Sequence, residues 1–168
     1  IDDGSNKKIK LPKKILSRIN FLKNDKNMGL AYSLNKGLKK AKGKYILRVD
    51  SDDFLLKERT STQVNFLEKN TSIDLVGTSL FIIDKNNKLL GIRSIIKYHE
   101  LLYKSYWKEV PIPHPSWLVR KEAMTNKYQT NLKRGQDQFF LITNSKNLKY
   151  HVISKPLNCY RLKNISII

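Results

Sequence analysis

The feature that most constrains the fold is a short apolar run that ends in a cluster of acids. Residues 45–49 suit a buried strand interrupted only by Arg48, and residues 50–53 follow with three carboxylates in four positions. In open α/β sheets, ligands bind beyond the carboxyl ends of the strands. The pattern therefore predicts an α/β domain with an acidic loop at its ligand-binding edge.

The segments around this loop alternate between helical and strand patterns. Apolar residues from Leu30 to Ala41 recur on one helical face, and Gly43 follows where a helix would end. Alternating strands and helices followed by hairpins predict a mixed, mainly parallel central sheet flanked by helices. The other predicted elements are strands over 15–23, 73–83, 89–96, 117–120, 150–154 and 157–160, helices over 57–69, 98–107 and 135–144, and an extended loop over 110–116.

The size of the chain allows one compact domain. It has 168 residues, of which 40% are hydrophobic, so residues 1–168 are expected to form a single domain around one core. The single Cys159 excludes an internal disulfide and fits a reducing cytoplasm. No apolar run approaches the roughly 18 residues that cross a bilayer.

The charge balance is strongly basic. The chain has 33 Lys and Arg against 14 Asp and Glu, a formal net charge of +19 that attracts phosphates, nucleic acids and anionic lipid headgroups. An A/T-rich genome, in which Lys fills solvated positions, explains most of this charge. Peripheral contact with an anionic inner membrane face stays open. A basic nucleic-acid-binding module is the non-enzyme alternative, but acidic loops would repel a phosphate backbone. We therefore expect no nucleic-acid partner.

The acidic loop has two interpretations. Mg²⁺ and Mn²⁺ prefer oxygen ligands, usually one or two carboxylates together with substrate phosphates and waters. The loop could thus hold such a metal against a diphosphate. Alternatively, Asp50 or Asp53 caps the next helix. The position of the loop after an apolar strand favours the metal.

Two further segments carry polar groups before predicted helices. Asp2 and Asp3 precede Gly4 and by themselves predict an ordinary Asp-Gly turn. A second acidic loop at the same sheet edge favours a ligand site instead. Residues 27–29 form a turn before the helix that carries Ser33 and Asn35, and the alternative is an Asn cap followed by solvated polar residues.

Asp137 lies at a predicted helix start between Arg134 and two aromatic residues. An acid there stabilises the helix dipole, or acts as a general base in an aromatic-walled cleft. Spacing alone favours the dipole role. The three histidines lack metal-ligand spacing, and the chain contains no phosphate-loop, nucleophile-elbow or dinucleotide-binding pattern.

Six segments in order resemble family 2 glycosyltransferases of the GT-A fold. They are DDGS (2–5), NMGLAYSLNKGLKKAKGKYI (27–46), DSDD (50–53), HPSWLVRK (114–121), GQDQFF (135–140) and YRLKNIS (160–166). Arg59, Gln63 and residues 76–78 add to the similarity. The resemblance covers essentially the whole chain, and six motifs in family order make it specific.

The resemblance implies a nucleotide-diphosphate-sugar donor, most often a UDP-sugar, attacked directly by an acceptor hydroxyl with inversion at the anomeric carbon. By position, Asp3 contacts the base, Asp50 lies by the ribose, and Asp52 binds the metal, Mn²⁺ or Mg²⁺. Asp137 is the implied catalytic base. The other implied donor-binding residues are Asp2, Ser5, Asn27, Gly29, Asn35 and Ser51. The implied setting is bacterial surface polysaccharide or glycan synthesis, with a glycan or lipid-linked acceptor.

Three departures from the family pattern are visible. Family members begin with a strand, a helix and a second strand, together about 35 to 40 residues, of which only Ile1 is present. The first strands are therefore expected to be missing. Gln136 replaces a common Glu, and Leu34 replaces a common Arg that contacts phosphate. A sugar nucleotidyltransferase is the rival enzyme, and the downstream motifs oppose it.

Overall fold

The computed structural model describes residues 1–6, 9–95, 112–144 and 148–162. Within these ranges the helices are α1 (Lys13–Leu16), α2 (Leu30–Lys40), α3 (Arg59–Lys69) and α4 (Gln136–Asn144). The strands are β1 (Tyr45–Leu47), β2 (Phe54–Leu55), β3 (Leu75–Ile83), β4 (Leu89–Arg93), β5 (Leu118–Arg120) and β6 (Tyr150–Arg161). Short 3-10 turns at His114–Ser116 and Lys121–Ala123 flank β5.

The six strands form one mixed sheet in the order β1-β5-β3-β6-β2, and β4 pairs with the end of β3. The α/β class and the mixed sheet are confirmed. The expected predominance of parallel pairing is not seen among these strands, because only β3 and β6 pair in parallel. β5 separates β1 from β3 and runs opposite to both. β4 follows β3 through a tight turn, and such a turn joins antiparallel strands.

Helices pack on both faces of the sheet. Leu75 and Val119 belong to a core cluster that includes Ala31 of α2 and Phe140 of α4. The adjacent residue on each strand faces the other way, since side chains alternate along a strand. Val76 and Leu118 accordingly pack with Leu67 of α3 in a second cluster. The sheet is therefore the middle of three layers, with α2 and α4 on one face and α3 on the other.

Most predicted elements near the acidic loop are confirmed within two or three residues. α2, β1, α3, β3 and α4 all form where the periodicity indicates. The two strands predicted at the end of the chain form one strand, β6, whose pairing with β3 is irregular near Ser79 and Pro156. An irregularity of this kind lets Pro lie within a sheet, because Pro cannot donate a ladder hydrogen bond.

Two local predictions are wrong, and one lies outside the described residues. Residues 15–23 do not form a strand; α1 covers the start of this stretch, and only Lys23 makes an isolated parallel bridge, to Asp2. The loop predicted as extended contains the 3-10 turn His114–Ser116. Pro115 is tolerated in its first positions, where its missing N–H is not needed. The helix predicted over 98–107 falls among residues the structure does not describe.

β1 is an edge strand in the described part of the chain. β1 pairs with β5 on one side, and no described strand pairs with its other side. The expectations of a single domain and of additional strands ahead of residue 1 stay predictions.

Candidate functional site

An ion pair joins Asp50, the first residue of the acidic loop, to Arg48, two residues before it. Arg48 donates from Nη1 to Asp50 Oδ2 at 2.8 Å and from Nη2 to Asp50 Oδ1. The Arg48 side chain is 11% exposed and that of Asp50 is 33% exposed. A planar guanidinium matches both oxygens of one carboxylate, so this pair fixes the orientation of Asp50. Sequence analysis did not assign Arg48 a role, although it is the one charged residue in an otherwise apolar strand.

Asp53 binds the end of β6 rather than capping a helix. Its Oδ1 accepts a hydrogen bond from the Arg161 backbone N–H at 3.0 Å, and its Oδ2 accepts one from Asn158 Nδ2 at 3.2 Å. Burial raises the pKa of Asp53 and outweighs these hydrogen bonds, and Asp50 adds to the rise. The N-cap residue of α3 is Glu58, with no side-chain cap. The interpretation of Asp50 or Asp53 as the cap of this helix is therefore wrong.

Asp52 lies beside a cleft of about 340 Å³ at the end of β6. Asp50, Tyr160, Arg161 and Leu162 line the same cleft. Burial raises the pKa of Tyr160, and the carboxylates of the acidic loop raise it further, with Asp50 the largest contributor among them. The cleft thus brings the carboxylates of the acidic loop to one wall and the positive charge of Arg161 to the same space.

The donor set of this cleft fits a divalent cation that also binds a substrate. Within the described ranges no three or more His, Cys, Asp or Glu side chains are grouped as a self-sufficient metal site. Mg²⁺ in nucleotide enzymes usually binds through one or two carboxylates and completes its shell with phosphates and water. Asp50 and Asp52 supply hard oxygen donors of this kind.

The DDGS segment forms a tight turn that packs on the chain before α2. Asp2 is buried, accepts a hydrogen bond from the Ser5 backbone N–H at 2.9 Å, and pairs through its own backbone with the segment around Lys23. Gly4 has φ +75°, and a Cβ there would lie 2.3 Å from the Lys26 carbonyl carbon. The Asp-Gly turn expected from the sequence is thus present.

Asp3 joins this turn to the start of α2. Its carboxylate accepts hydrogen bonds from the backbone N–H groups of Met28 and Gly29, both at 2.9 Å, and from Asn24 Nδ2 at 2.8 Å. Burial acts to raise the pKa of Asp3, but these hydrogen bonds together lower it. Asn24 is buried and also donates to Ser33 Oγ at 2.9 Å. No sequence pattern marks Asn24, because its partners lie in separate segments.

The residues before and along α2 are held by backbone contacts. Asn27 Oδ1 accepts from the Gly29 N–H at 3.0 Å, but the N-cap residue of α2 is Gly29 itself, so the Asn-cap interpretation is wrong. Asn35 donates to the Tyr128 carbonyl at 2.8 Å and accepts from the Tyr128 N–H at 2.9 Å. Ser33 is buried. The description of Ser33 and Asn35 as solvated is therefore wrong too.

Two more clefts lie in series with the acidic one, and the first of them shares a lining residue with it. A cleft of about 460 Å³ lies between the apolar face of α2 and β1, and Asp50 and Ser51 line it. A second, of about 520 Å³, is lined by Gly29 and by residues 132–136. Leu30 lines both of these clefts, and Asp50 lines both the first and the acidic cleft. Shared wall residues therefore place the three clefts next to one another, from the loop before Asp137 to the end of β6.

Asp137 occupies the first turn of α4 and is half-buried. Burial raises the pKa of Tyr128, and the Asp137 carboxylate contributes to that rise, so the charge of Asp137 reaches a residue that lines the α2 cleft. Phe140 is buried in the core and stacks on Tyr128, which leaves Phe139 as the more exposed aromatic residue of the motif. Asp137 is not itself among the residues that line the three clefts, whereas Gly135 and Gln136 directly before it line the second one. Both roles considered for Asp137, dipole partner and general base, stay predictions.

A buried polar pair lies behind the α2 cleft. His114 Nε2 and the Tyr128 hydroxyl are 2.9 Å apart, and His114 packs against Trp117 at 4.4 Å between ring centroids. Burial, helped by the positive charge of Arg48, holds the pKa of His114 well below its usual range. The imidazole is therefore neutral, and it fixes the orientation of Tyr128 in the cleft wall.

Residues 1–128 match the family model of glycosyl transferase family 2. The chain belongs to this family. It is 34% identical over 98% of its length to the uncharacterized glycosyltransferase MJ1057 of Methanocaldococcus jannaschii. It is 27% identical, also over 98% of its length, to the putative teichuronic acid biosynthesis glycosyltransferase TuaG of Bacillus subtilis. The chain spans 59% of the first relative and 65% of the second.

A solved structure agrees on the fold. The crystal structure of S. aureus TarS 1-349 in complex with UDP-GlcNAc superposes with a TM-score of 0.69 at 19% identity, over 90% of this chain and 46% of that one. The expected GT-A fold is thereby confirmed. None of the helices in the described part of the chain combines the length and apolar character needed to cross a membrane.

Proposed function

We propose that the protein transfers a sugar from a nucleotide-diphosphate donor, a UDP-sugar, to an acceptor hydroxyl with inversion at the anomeric carbon. The observation that carries this proposal is the position of Asp50, which lines both the α2 cleft and the acidic cleft. A donor that extends across this residue would place its nucleoside on one side and its diphosphate on the other. The UDP-GlcNAc complex of TarS, a structure with the same fold, supports this class of donor.

The donor is assigned to the three adjoining clefts. Asp50, oriented by Arg48, would accept a hydrogen bond from the ribose. Ser51 lines the α2 cleft with it, and Gly29 lines the neighbouring cleft of about 520 Å³. Asp3 is assigned to the nucleotide base, with its carboxylate set by the backbone of Met28 and Gly29. The other residues assigned to this region form the turn and helix that carry these groups: Asp2, Ser5, Asn27 and Asn35.

Asp52 is assigned as the protein ligand of Mn²⁺ or Mg²⁺ in the acidic cleft, with Asp50 beside it. When bound there, such a cation would neutralise charge on the departing diphosphate. Two carboxylates at one cleft carry mutual repulsion, and the Arg48 guanidinium relieves part of it by neutralising Asp50.

Asp137 is assigned as the general base. Its carboxylate would take the proton of the acceptor hydroxyl as that oxygen bonds to the anomeric carbon and the bond from that carbon to the diphosphate oxygen breaks. Direct displacement of this kind inverts the configuration. The place of Asp137 in the first turn of α4, directly after Gly135 and Gln136 in the wall of the cleft of about 520 Å³, supports this role.

The proposed setting is the synthesis of a surface polysaccharide or other glycan on the cytoplasmic side of the membrane. The name of the TuaG relative, which refers to teichuronic acid biosynthesis, supports an acceptor of this class. The net charge of +19 supports additional peripheral contact with anionic lipid.

The first test of the proposal is nucleotide binding measured by isothermal titration of UDP with and without Mn²⁺. We expect Mn²⁺ to tighten UDP binding to the wild-type protein and Asp52→Asn to remove most of that gain. Asp25→Asn, which changes an exposed acid that lines none of the three clefts, is the matched control. Mn²⁺-independent UDP binding in the wild type would contradict the metal assignment.

The second test concerns Asp137→Asn and uses transfer rate, UDP affinity and melting temperature together. Loss of a positioned base lowers the rate by about 10² to 10⁴ while leaving donor affinity largely unchanged. If Asp137 only offsets the helix dipole, the change lowers stability by about 0.3 to 1 kcal/mol and leaves transfer intact. Near-normal transfer by the variant would remove Asp137 from the mechanism.

A further inference from the structure

Arg161 lies between the acidic loop and the turn that joins β3 to β4. β6 pairs in parallel with β3, and Arg161 is opposite Ile83, the last residue of that strand. On its other side β6 pairs with β2, and Cys159 is opposite Phe54, directly after the acidic loop. Strand register therefore sets Arg161 beside both segments, although the loop and the turn are about thirty residues apart in sequence.

The Arg161 side chain binds both segments at once. Its Nε donates to the Asp52 carbonyl at 2.9 Å, and its Nη1 donates to the Asp84 carbonyl at 2.7 Å. Its Nη2 donates to Asn87 Oδ1 at 2.6 Å. The guanidinium also lies over the Phe54 ring, at 5.2 Å from the centroid. A rigid, planar group with several donors can connect two backbones in one geometry, which a flexible ammonium cannot do.

The β3–β4 turn is built to present these acceptors. Asp84 Oδ1 accepts from the backbone N–H groups of Asn86 and Lys88, each at 2.8 Å, which closes the turn. Asn87 has φ +68°, a left-handed conformation that Asn adopts more readily than most residues. The turn is thus a fixed support, since its shape is set by its own hydrogen bonds.

We infer that Arg161 is a positioning residue for Asp52, and that it connects the metal-binding loop to the Asp84–Asn87 turn. This inference rests on the proposed function, because it needs a metal at Asp52. By holding the Asp52 carbonyl, Arg161 limits the backbone positions open to that residue. The β3–β4 turn, which lines none of the three clefts, thereby affects how well the loop binds a metal-nucleotide complex.

The test compares UDP affinity with and without Mn²⁺, by isothermal titration, in variants of the purified protein. The measured quantity is the factor by which Mn²⁺ tightens UDP binding. Asn87→Gly keeps the left-handed backbone but removes the acceptor, and we expect it to lower that factor by threefold or more, as loss of one hydrogen bond to a charged donor would. Asn87→Asp keeps an oxygen acceptor and should stay within about twofold of wild type. Arg161→Lys keeps the charge but removes the planar guanidinium with its several donors, and should lower the factor by tenfold or more.

The outcomes separate this inference from the proposed function. If Mn²⁺ does not tighten UDP binding in the wild type, the proposed function fails first. If it does, and Asn87→Gly leaves the factor unchanged, the positioning role of Arg161 is refuted. Equal weakening of UDP binding with and without Mn²⁺ in Arg161→Lys would also refute it, since that pattern indicates direct contact with the nucleotide. Melting curves identify a variant that does not fold, and Asn87→Gly keeps the test decisive in that case.

Discussion

Arg59 is fully buried directly behind the acidic loop, and its replacement by Met tests what holds that loop in place. The guanidinium donates to Gln63 Oε1 at 2.9 Å, to Asn158 Oδ1 at 2.8 Å and to the Arg48 carbonyl at 3.1 Å. A fourth contact, to the Trp117 carbonyl, is 3.4 Å long and contributes little. All of these acceptors are neutral, and none of the ion pairs among the described residues includes Arg59. The Asp53 carboxylate favours the charged guanidinium through space.

Two opposing contributions set the expected loss of stability. Hydrogen bonds from a charged donor contribute about 1.5 to 3 kcal/mol each, so the three good ones contribute about 5 to 9 kcal/mol. Against this, burial lowers the pKa of Arg59 to about 10. That shift corresponds to about 3 kcal/mol against the charged side chain, which Met would relieve. The difference predicts that Arg59→Met lowers the free energy of unfolding by about 2 to 6 kcal/mol.

Urea denaturation followed by tryptophan fluorescence measures this loss. With a slope of about 2 kcal/mol per molar urea, a loss of about 4 kcal/mol lowers the midpoint by about 2 M. Arg18→Met, which changes an exposed arginine, is the matched control and should alter stability by less than about 0.5 kcal/mol. A loss below about 1 kcal/mol in Arg59→Met would refute the reasoning, because it would show that an apolar side chain replaces the network as well.

Two further predictions concern stability. Gly4→Ala should lower the melting temperature by about 5 °C or more. The left-handed backbone at Gly4 and the 2.3 Å approach of Lys26 to an added Cβ together cost about 2 kcal/mol or more. Gly91→Ala is the control and should change the melting temperature little, because the space around an added Cβ is open there. His114 is neutral when folded and takes up a proton near pH 6.5 when unfolded, so stability should fall as pH drops below about 6.5, by up to about 1.4 kcal/mol per pH unit from this residue. Measured by urea unfolding, the free energy of unfolding should fall less between pH 7 and pH 5 in His114→Gln than in the wild type. An equal fall in the two proteins would contradict the assignment of a neutral, buried His114.

Local patterns predicted much of the framework around the site. The apolar face of α2, the strand before residue 50 and the helix start at residue 136 all follow from residue periodicity and end signals. These elements form where expected because neighbouring residues supply their hydrogen bonds and their packing stripe. The same local information failed for residues 15–23, where alternating apolar side chains indicated a strand but only Lys23 pairs with another segment.

The sequence by itself determined the α/β class, the family and the acidic loop at a strand end, because these depend on residues close together in the chain. Tertiary structure decided how each carboxylate is used: Asp50 pairs with Arg48, Asp53 binds Asn158 and the backbone of Arg161, and Asp3 binds the start of α2. It also decided the direction of the strand pairs, since β5 enters between β1 and β3 from a distant part of the chain. Apart from the Arg48–Asp50 pair, whose residues are two positions apart, these contacts join residues 26 to 108 positions apart in the sequence. Only the packing of the whole sheet brings those atoms within hydrogen-bond distance.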